Sequence, residues 1–185
     1  MFFAVIAIGA LTSANTPSTA APSAVRLADF TRRGVAWVAV NDGVMGGVSS
    51  GTTAISDAGY LRFVGRVRLE NNGGFASARS ARLGATELGA LAVGKEIVAR
   101  VRGDGRRYQL TMRGTRAWFW ATIEPPPGEW VELHLPFASF TPHSRFGDVL
   151  ETGTYNGEPI DSVGVLIYNK RAESFRFDVA WLEVR

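Results

Sequence analysis

The stretch Ile97-Val98-Ala99-Arg100-Val101-Arg102-Gly103-Asp104-Gly105-Arg106-Arg107-Tyr108-Gln109-Leu110-Thr111-Met112-Arg113 decides the fold class. Ile97, Ala99 and Val101 alternate with Arg100 and Arg102. Tyr108, Leu110 and Met112 then alternate with Arg107, Gln109, Thr111 and Arg113. Successive side chains of a strand point to opposite faces, so apolar residues on one parity mark a half-buried strand. Between the two runs, Gly103-Asp104-Gly105 tolerates positive φ and reads as a tight hairpin turn.

The same period recurs on either side. Leu61, Phe63, Val67 and Leu69 oppose Arg62, Arg66 and Arg68, and Val131, Leu133 and Leu135 oppose Glu132 and His134. The run 163–168 is apolar on both parities, which predicts a central strand covered on each side. Phe175, Phe177, Val179 and Trp181 share one parity, while Leu182 and Val184 take the other. That change of phase predicts a β-bulge near Val179–Trp181. Further turns are expected at Asp42-Gly43, Asn72-Gly73-Gly74 and Asn156-Gly157. Helical signal is confined to a short helix over 86–92 and one turn over 137–140, and Pro125-Pro126-Pro127 reads as an extended connector. Many short strands, regular turns and little helix predict an all-β fold, a β-sandwich or jelly roll, over residues 26–185.

The 185 residues suit one domain with a sizeable core. The net charge is +3, and the arginines are scattered rather than run together, so nucleic acid is not an expected partner. There is no cysteine, which excludes disulfides, thiolate catalysis and cysteine-ligated metals. His134 and His143 are too few for a histidine metal cluster, so neither metal nor cofactor is expected. No charged side chain precedes Arg26. The apolar run Phe2–Leu11 is far shorter than the roughly 20 residues that span a bilayer. Residues 1–24 read as a signal peptide, with a disordered tail as the alternative. With residues 1–20 as a signal, the expected location is extracytoplasmic or periplasmic.

Several ordered blocks together resemble a known family. They are Asn41-Asp42-Gly43-Val44-Met45-Gly46-Gly47-Val48-Ser49, then Phe63-Val64-Gly65 leading to Glu70-Asn71-Asn72-Gly73-Gly74-Phe75-Ala76-Ser77. Gly103-Asp104-Gly105 with Tyr108 follows, then Trp130 with Leu135-Pro136-Phe137 and Phe140. The last are Ile160-Asp161-Ser162-Val163-Gly164 and Phe175-Arg176-Phe177-Asp178-Val179. In this order and spacing the chain resembles the complex I intermediate-associated protein 30 (CIA30) family. The resemblance implies a galactose-binding-like β-sandwich. It also implies a non-catalytic, chaperone-like assembly factor whose partners are protein subunits of a membrane complex. No catalytic residue is carried over, because the family has none agreed. That role belongs to the cytoplasm or to the matrix side of the mitochondrial inner membrane, opposite to where an export signal would deliver the chain. The alternative expectation is an exported module that binds a glycan.

Three groups of residues are candidates for contact with a partner or ligand. Asn41, Asp42, Met45, Gly46, Gly47 and Ser49 form a glycine-rich loop, read either as a binding loop or as a turn that routes the first strands. Asn72, Gly73, Gly74 and Arg79 read as a polar pocket edge, or as a hairpin turn beside a solvated arginine. Trp118 and Trp120 share one strand face, opposite Phe119, Ala121 and Ile123. They stand ready to stack on a sugar or anchor a partner, unless the sheet is covered on both sides. Glu70, Asp104, Glu124, Glu132, Asp148, Glu151, Asp161 and Asp178 supply carboxylates, but no pair of them announces acid–base chemistry. The expectation is therefore a binding protein rather than an enzyme.

Overall fold

A computed structural model describes residues 24–32, 36–150 and 153–185. The signal-peptide reading of the N-terminus lies outside the described residues. Among the described residues twelve strands form in chain order: β1 (Val25–Asp29), β2 (Trp37–Asn41), β3 (Ser50–Ile55), β4 (Leu61–Arg66), β5 (Ala76–Ser80), β6 (Glu96–Arg102), β7 (Tyr108–Gly114), β8 (Trp118–Ile123), β9 (Trp130–Pro136), β10 (Thr141–His143), β11 (Ile160–Ile167) and β12 (Ser174–Val184). One helix, α1 (Ala85–Val93), falls where its short apolar pattern predicts, and a 3₁₀ turn covers Phe137–Ser139.

The strands make two antiparallel six-stranded sheets. The first runs β3-β4-β12-β6-β9, with β1 also paired to β12; the second runs β10-β8-β7-β11-β5-β2. The alternation seen in the sequence points its apolar parity between them. Phe63 and Phe177 from the first sheet, and Tyr108, Leu110, Met112 and Val165 from the second, are buried in one core. Phe63 packs on Phe175 at 4.7 Å and Tyr108 on Phe177 at 4.5 Å between ring centroids. Each such ring contributes about 2–3 kcal/mol by burial, so the interlocked faces dominate the stability of the sandwich.

β11 is central, between β7 and β5. One of its faces is core. The other is covered by side chains of neighbouring strands rather than by another layer: a side chain on Gly164 would meet Arg79 and Thr111. The bulge expected in β12 is present, as a register shift between Val179 and Trp181 against β6. It lets one long strand serve two neighbours in succession on its other edge, β4 and then β1.

Two expectations change. The strand beginning at Leu61 ends at Arg66. There the Val67 N–H donates to the Glu173 carbonyl (2.8 Å) and the Arg68 N–H to Ser49 Oγ (2.9 Å), leaving the β-ladder, and Leu69 is exposed. The second change concerns the glycine turns. Gly103-Asp104-Gly105 is no hairpin: it carries the chain from β6 in the first sheet to β7 in the second. Asp104 fixes that crossing by accepting hydrogen bonds from Tyr108 Oη (3.0 Å) and the Arg176 N–H (2.8 Å). The turns at Asp42-Gly43 and Asn72–Gly74 also cross between sheets, joining β2 to β3 and β4 to β5. The true hairpins are β3–β4, closed by Ser56 N–H to Tyr60 O (2.9 Å), and β7–β8, closed by Gly114 N–H to Ala117 O (2.9 Å).

Candidate functional site

The glycine-rich loop serves a buried carboxylate. Asp42 is 1% exposed and opens a 3₁₀ turn, Asp42–Met45. Its Oδ1 accepts from the Ser49 N–H (2.9 Å). Its Oδ2 accepts from Ser49 Oγ (2.5 Å), the Gly74 N–H (2.7 Å) and the Phe75 N–H (3.3 Å). One side chain thereby ties the loop after β2 to the loop before β5. The glycines make room for it. A Cβ on Gly47 would lie 2.3 Å from Asp42 Cγ, and one on Gly73 would lie 2.5 Å from Oδ2. Gly46 adopts φ 86° to end the turn, and its carbonyl accepts from Asn71 Nδ2 (3.1 Å). Asn41 Nδ2 donates to the Gly51 carbonyl (3.2 Å). Burial would raise the Asp42 carboxyl, but the hydrogen bonds from Ser49, Gly74 and Phe75 outweigh it and hold the group below the usual carboxylate range. Asp42, Gly46, Gly47, Ser49, Gly73 and Gly74 thus form one latch, and Asn41 ties β2 to β3 beside it.

What the latch positions is a cleft of about 480 Å³ on the outer face of the second sheet. β8 supplies Trp118 and Trp120 to its floor, β7 supplies Arg113, β11 supplies Leu166, and β5 supplies Arg79. Val44 and Met45 from the latched turn, Asn72 and Phe75 from the facing loop, and Phe146 from the loop after β10 form its rim. Of the sequence candidates, Met45, Asn72, Arg79, Trp118 and Trp120 therefore come together here. Val44, Met45 and Phe146 are 74%, 57% and 56% exposed, so the rim offers unpacked apolar surface. Trp120 stacks on His143 at 4.2 Å between centroids and meets Tyr168 edge-on at 5.9 Å.

The charge of the cleft is one-sided. Arg79 and Arg113 place their guanidinium carbons 4.8 and 4.9 Å from the Trp118 ring. Arg145 and Lys170 add two more cations at the wall, over Phe146 and Tyr168 respectively. Among the described residues no Asp or Glu lines it. Burial first, and the charge of Arg113 second, lower the Arg79 guanidinium from its ordinary value. An adjoining hollow of about 520 Å³ shares Tyr168 and Lys170. It contrasts with the cleft, because carboxylates line it and two of its arginines are neutralised: Arg107 pairs with Glu124 (2.6 Å) and Arg106 with Glu173 (3.1 Å).

The carboxylates considered for acid–base work lie elsewhere. Asp161 pairs with Arg82 (2.9 Å), Glu132 with Arg100 (3.3 Å), and Glu70 with Arg68, while Asp148 meets Ser144 Oγ (3.1 Å). Glu151 lies outside the described residues. Among the described residues no three His, Asp or Glu side chains gather as a metal site, and no helix is long and apolar enough to cross a membrane.

Arg113, Leu166, Phe75, Arg145, Phe146, Tyr168 and Lys170 are cleft residues that the sequence reading did not single out. Arg113 had a signal. The Gly114-Thr115-Arg116-Ala117 turn sets it directly opposite Trp118 in the hairpin register. Lys170 had none, since its position depends on a left-handed backbone turn at φ 54°.

Several solved structures share this architecture. The family 11 carbohydrate-binding module of the cellulosomal cellulase Lic26A-Cel5E of Clostridium thermocellum superposes with a TM-score of 0.64. It does so over 89% of this chain and 95% of that one, at 17% identity. The family 11 module from Clostridium thermocellum in complex with a β-1,3-1,4-mixed-linked tetrasaccharide gives 0.55 over 87% and 94%, at 15% identity. The agarase AgWH50C also gives 0.55, over 87% of this chain but 24% of that one, at 10% identity. At these identities the likeness is one of fold, a β-sandwich of the carbohydrate-binding-module kind. No curated protein matches the chain. The model of the complex I intermediate-associated protein 30 (CIA30) family matches residues 28–179, most of the chain, and the chain belongs to that family.

Proposed function

We propose that this is a non-catalytic binding domain of the assembly-factor type, and that its cleft holds a segment of a partner polypeptide, a subunit of a membrane complex under construction. The observation that carries this reading is the exposed rim of Val44, Met45 and Phe146 around a floor of Trp118 and Trp120. A flexible thioether and unpacked apolar side chains beside buried aromatics are the makings of a protein-binding hot spot. Family membership supports the choice of partner. Deletion of the gene is expected to lower the level of assembled complex I, with subassemblies accumulating on native gels. A deletion strain with its full complement of the complex would sink the proposal. Trp118→Ala is expected to weaken capture of complex I subunits on the order of ten- to a hundredfold while leaving the fold intact, because the ring is only half-buried.

A second reading, a glycan-binding module, is favoured by the solved neighbours and by the two tryptophans on an open sheet face. A glycan array separates the two. Trp118-dependent retention of a neutral oligosaccharide, with complex I unaffected by deletion, would establish the glycan reading in place of the first. With this second reading goes export through residues 1–24, which the assembly role would not use. A reporter fused behind them is expected to cross the cytoplasmic membrane, and retention of the reporter inside the cell would remove export.

A further inference from the structure

Four cations without an ion pair gather in the cleft, whereas Arg66, Lys95, Arg116 and Arg171, the other described cations without one, lie exposed outside it. On the first sheet Arg62, Arg102 and Arg176 share Asp178, and near the adjoining hollow Arg106 and Arg107 meet glutamates. In the cleft, Arg79, Arg113, Arg145 and Lys170 have no carboxylate within ion-pair distance among the described residues. Arg79 is half-buried near the like charge of Arg113, and both guanidiniums lie over the Trp118 ring. Taking a cation partly out of water next to another cation is unfavourable unless a negative group compensates it.

The hydrogen-bonding inventory points the same way. Arginine, lysine and the tryptophan indole donate and cannot accept. Among the described residues the buried Trp120 Nε1–H meets no acceptor, and only Asn72 and Tyr168 bring side-chain oxygens to the lining. A neutral sugar presents hydroxyls that must donate as well as accept, so it would leave its donors short of partners here. A carboxylate brings only acceptors, and the planar forks of Arg79 and Arg113 suit it. The rim then discriminates among carboxylate carriers. Val44, Met45 and Phe146 would stay wet against an acidic polysaccharide but would pack on the apolar side chains of a peptide.

Resting on the protein-binding reading above, we propose that the occupant of the cleft is an acidic polypeptide segment. Its Asp or Glu carboxylates sit on Arg79 and Arg113, and its neighbouring apolar residues sit against Met45 and Phe146. The test uses the full chain and defined probes. Ten-residue peptides of mixed Glu and Leu are compared with the same peptides carrying Gln for Glu, and with polygalacturonate. The Glu peptides are expected to bind, at least tenfold more weakly when salt is raised from about 50 mM to about 500 mM. The Gln peptides are expected to bind at least about tenfold more weakly at low salt. The double variant R79Q/R113Q is expected to lose the preference for Glu. Because it also removes an uncompensated repulsion, its Tm is expected to stay level or rise by about 2–4 °C, which separates lost recognition from lost folding.

If Gln and Glu peptides bind alike and R79Q/R113Q changes nothing, the acidic specificity falls while polypeptide binding stands. Retention of polygalacturonate without the peptides overturns the polypeptide occupant itself. Failure of all three probes at low salt overturns the inference too.

Discussion

Replacing Asp42 by alanine is expected to destabilise the domain by about 3–5 kcal/mol. The carboxylate is buried and accepts from the Ser49 amide and hydroxyl and from the Gly74 and Phe75 amides. Alanine leaves these donors facing a void, each at a desolvation penalty of about 1–3 kcal/mol, partly relieved by any water that enters. The loss would appear as a lower urea midpoint with an unchanged slope. Asp42→Asn keeps the shape but gives up the charge and turns one acceptor into a donor, so an intermediate loss is expected. The pH dependence carries the sign. The folded carboxyl lies below its ordinary value of about 3.9, so its contribution is complete above that pH and is lost as pH falls through the folded value. The gap between wild type and Asp42→Asn is therefore expected to be wide at neutral pH and to close in acid. A loss below about 1 kcal/mol for Asp42→Ala would show that the latch is dispensable.

The second large effect is expected at Asp178, which is 0% exposed although it sits on the outer face of the first sheet. Strand register puts Arg62 of β4 and Arg102 of β6 directly across from it. Arg102 donates at 2.7 and 3.1 Å, Arg62 at 3.2 Å and Arg176 at 3.2 Å. The three guanidiniums cover the carboxylate and so desolvate it. Asp178→Ala leaves them facing one another and is expected to lower stability by about 3–5 kcal/mol. Replacing Arg102 and Asp178 together by leucine removes the buried carboxylate with its half-buried partner, and recovery of much of that loss is expected in chemical denaturation. A double variant no more stable than Asp178→Ala would contradict this account. Arg176→Gln, at the more exposed edge, is expected to change stability by no more than about 1 kcal/mol.

The sandwich was legible wherever the signal was local. Alternation through Ile97–Val101 and Tyr108–Met112 named the inward parity, and the phase change after Val179 located the bulge. The connections were not legible in the same way. Gly103-Asp104-Gly105 and Ser56-Asp57-Ala58-Gly59 are both turns, yet one crosses between sheets and the other closes a hairpin. Turn chemistry specifies a reversal of direction; which sheet receives the next strand is decided by distant pairing, as between β12 and β6. The candidate site divided for a similar reason. Glycines and Asp42 adjacent in sequence could serve a ligand or one another, and only the return of Gly73–Phe75 from beyond β4 shows that they serve one another. Trp118 and Arg79 were visible as residue types, but their meeting is set by β8, β7, β11 and β5 lying side by side.

The pairing of β12 with β1, β4 and β6 has a consequence in time. β12 follows the other eleven described strands. Until Ser174–Val184 leaves the ribosome, β1, β4 and β6 each keep an unpaired edge, and the first sheet cannot close. Contacts that join the beginning of a domain to its end slow folding, and open edges invite pairing with other chains meanwhile. By this arrangement the domain itself passes through a long unfinished stage before its first sheet closes.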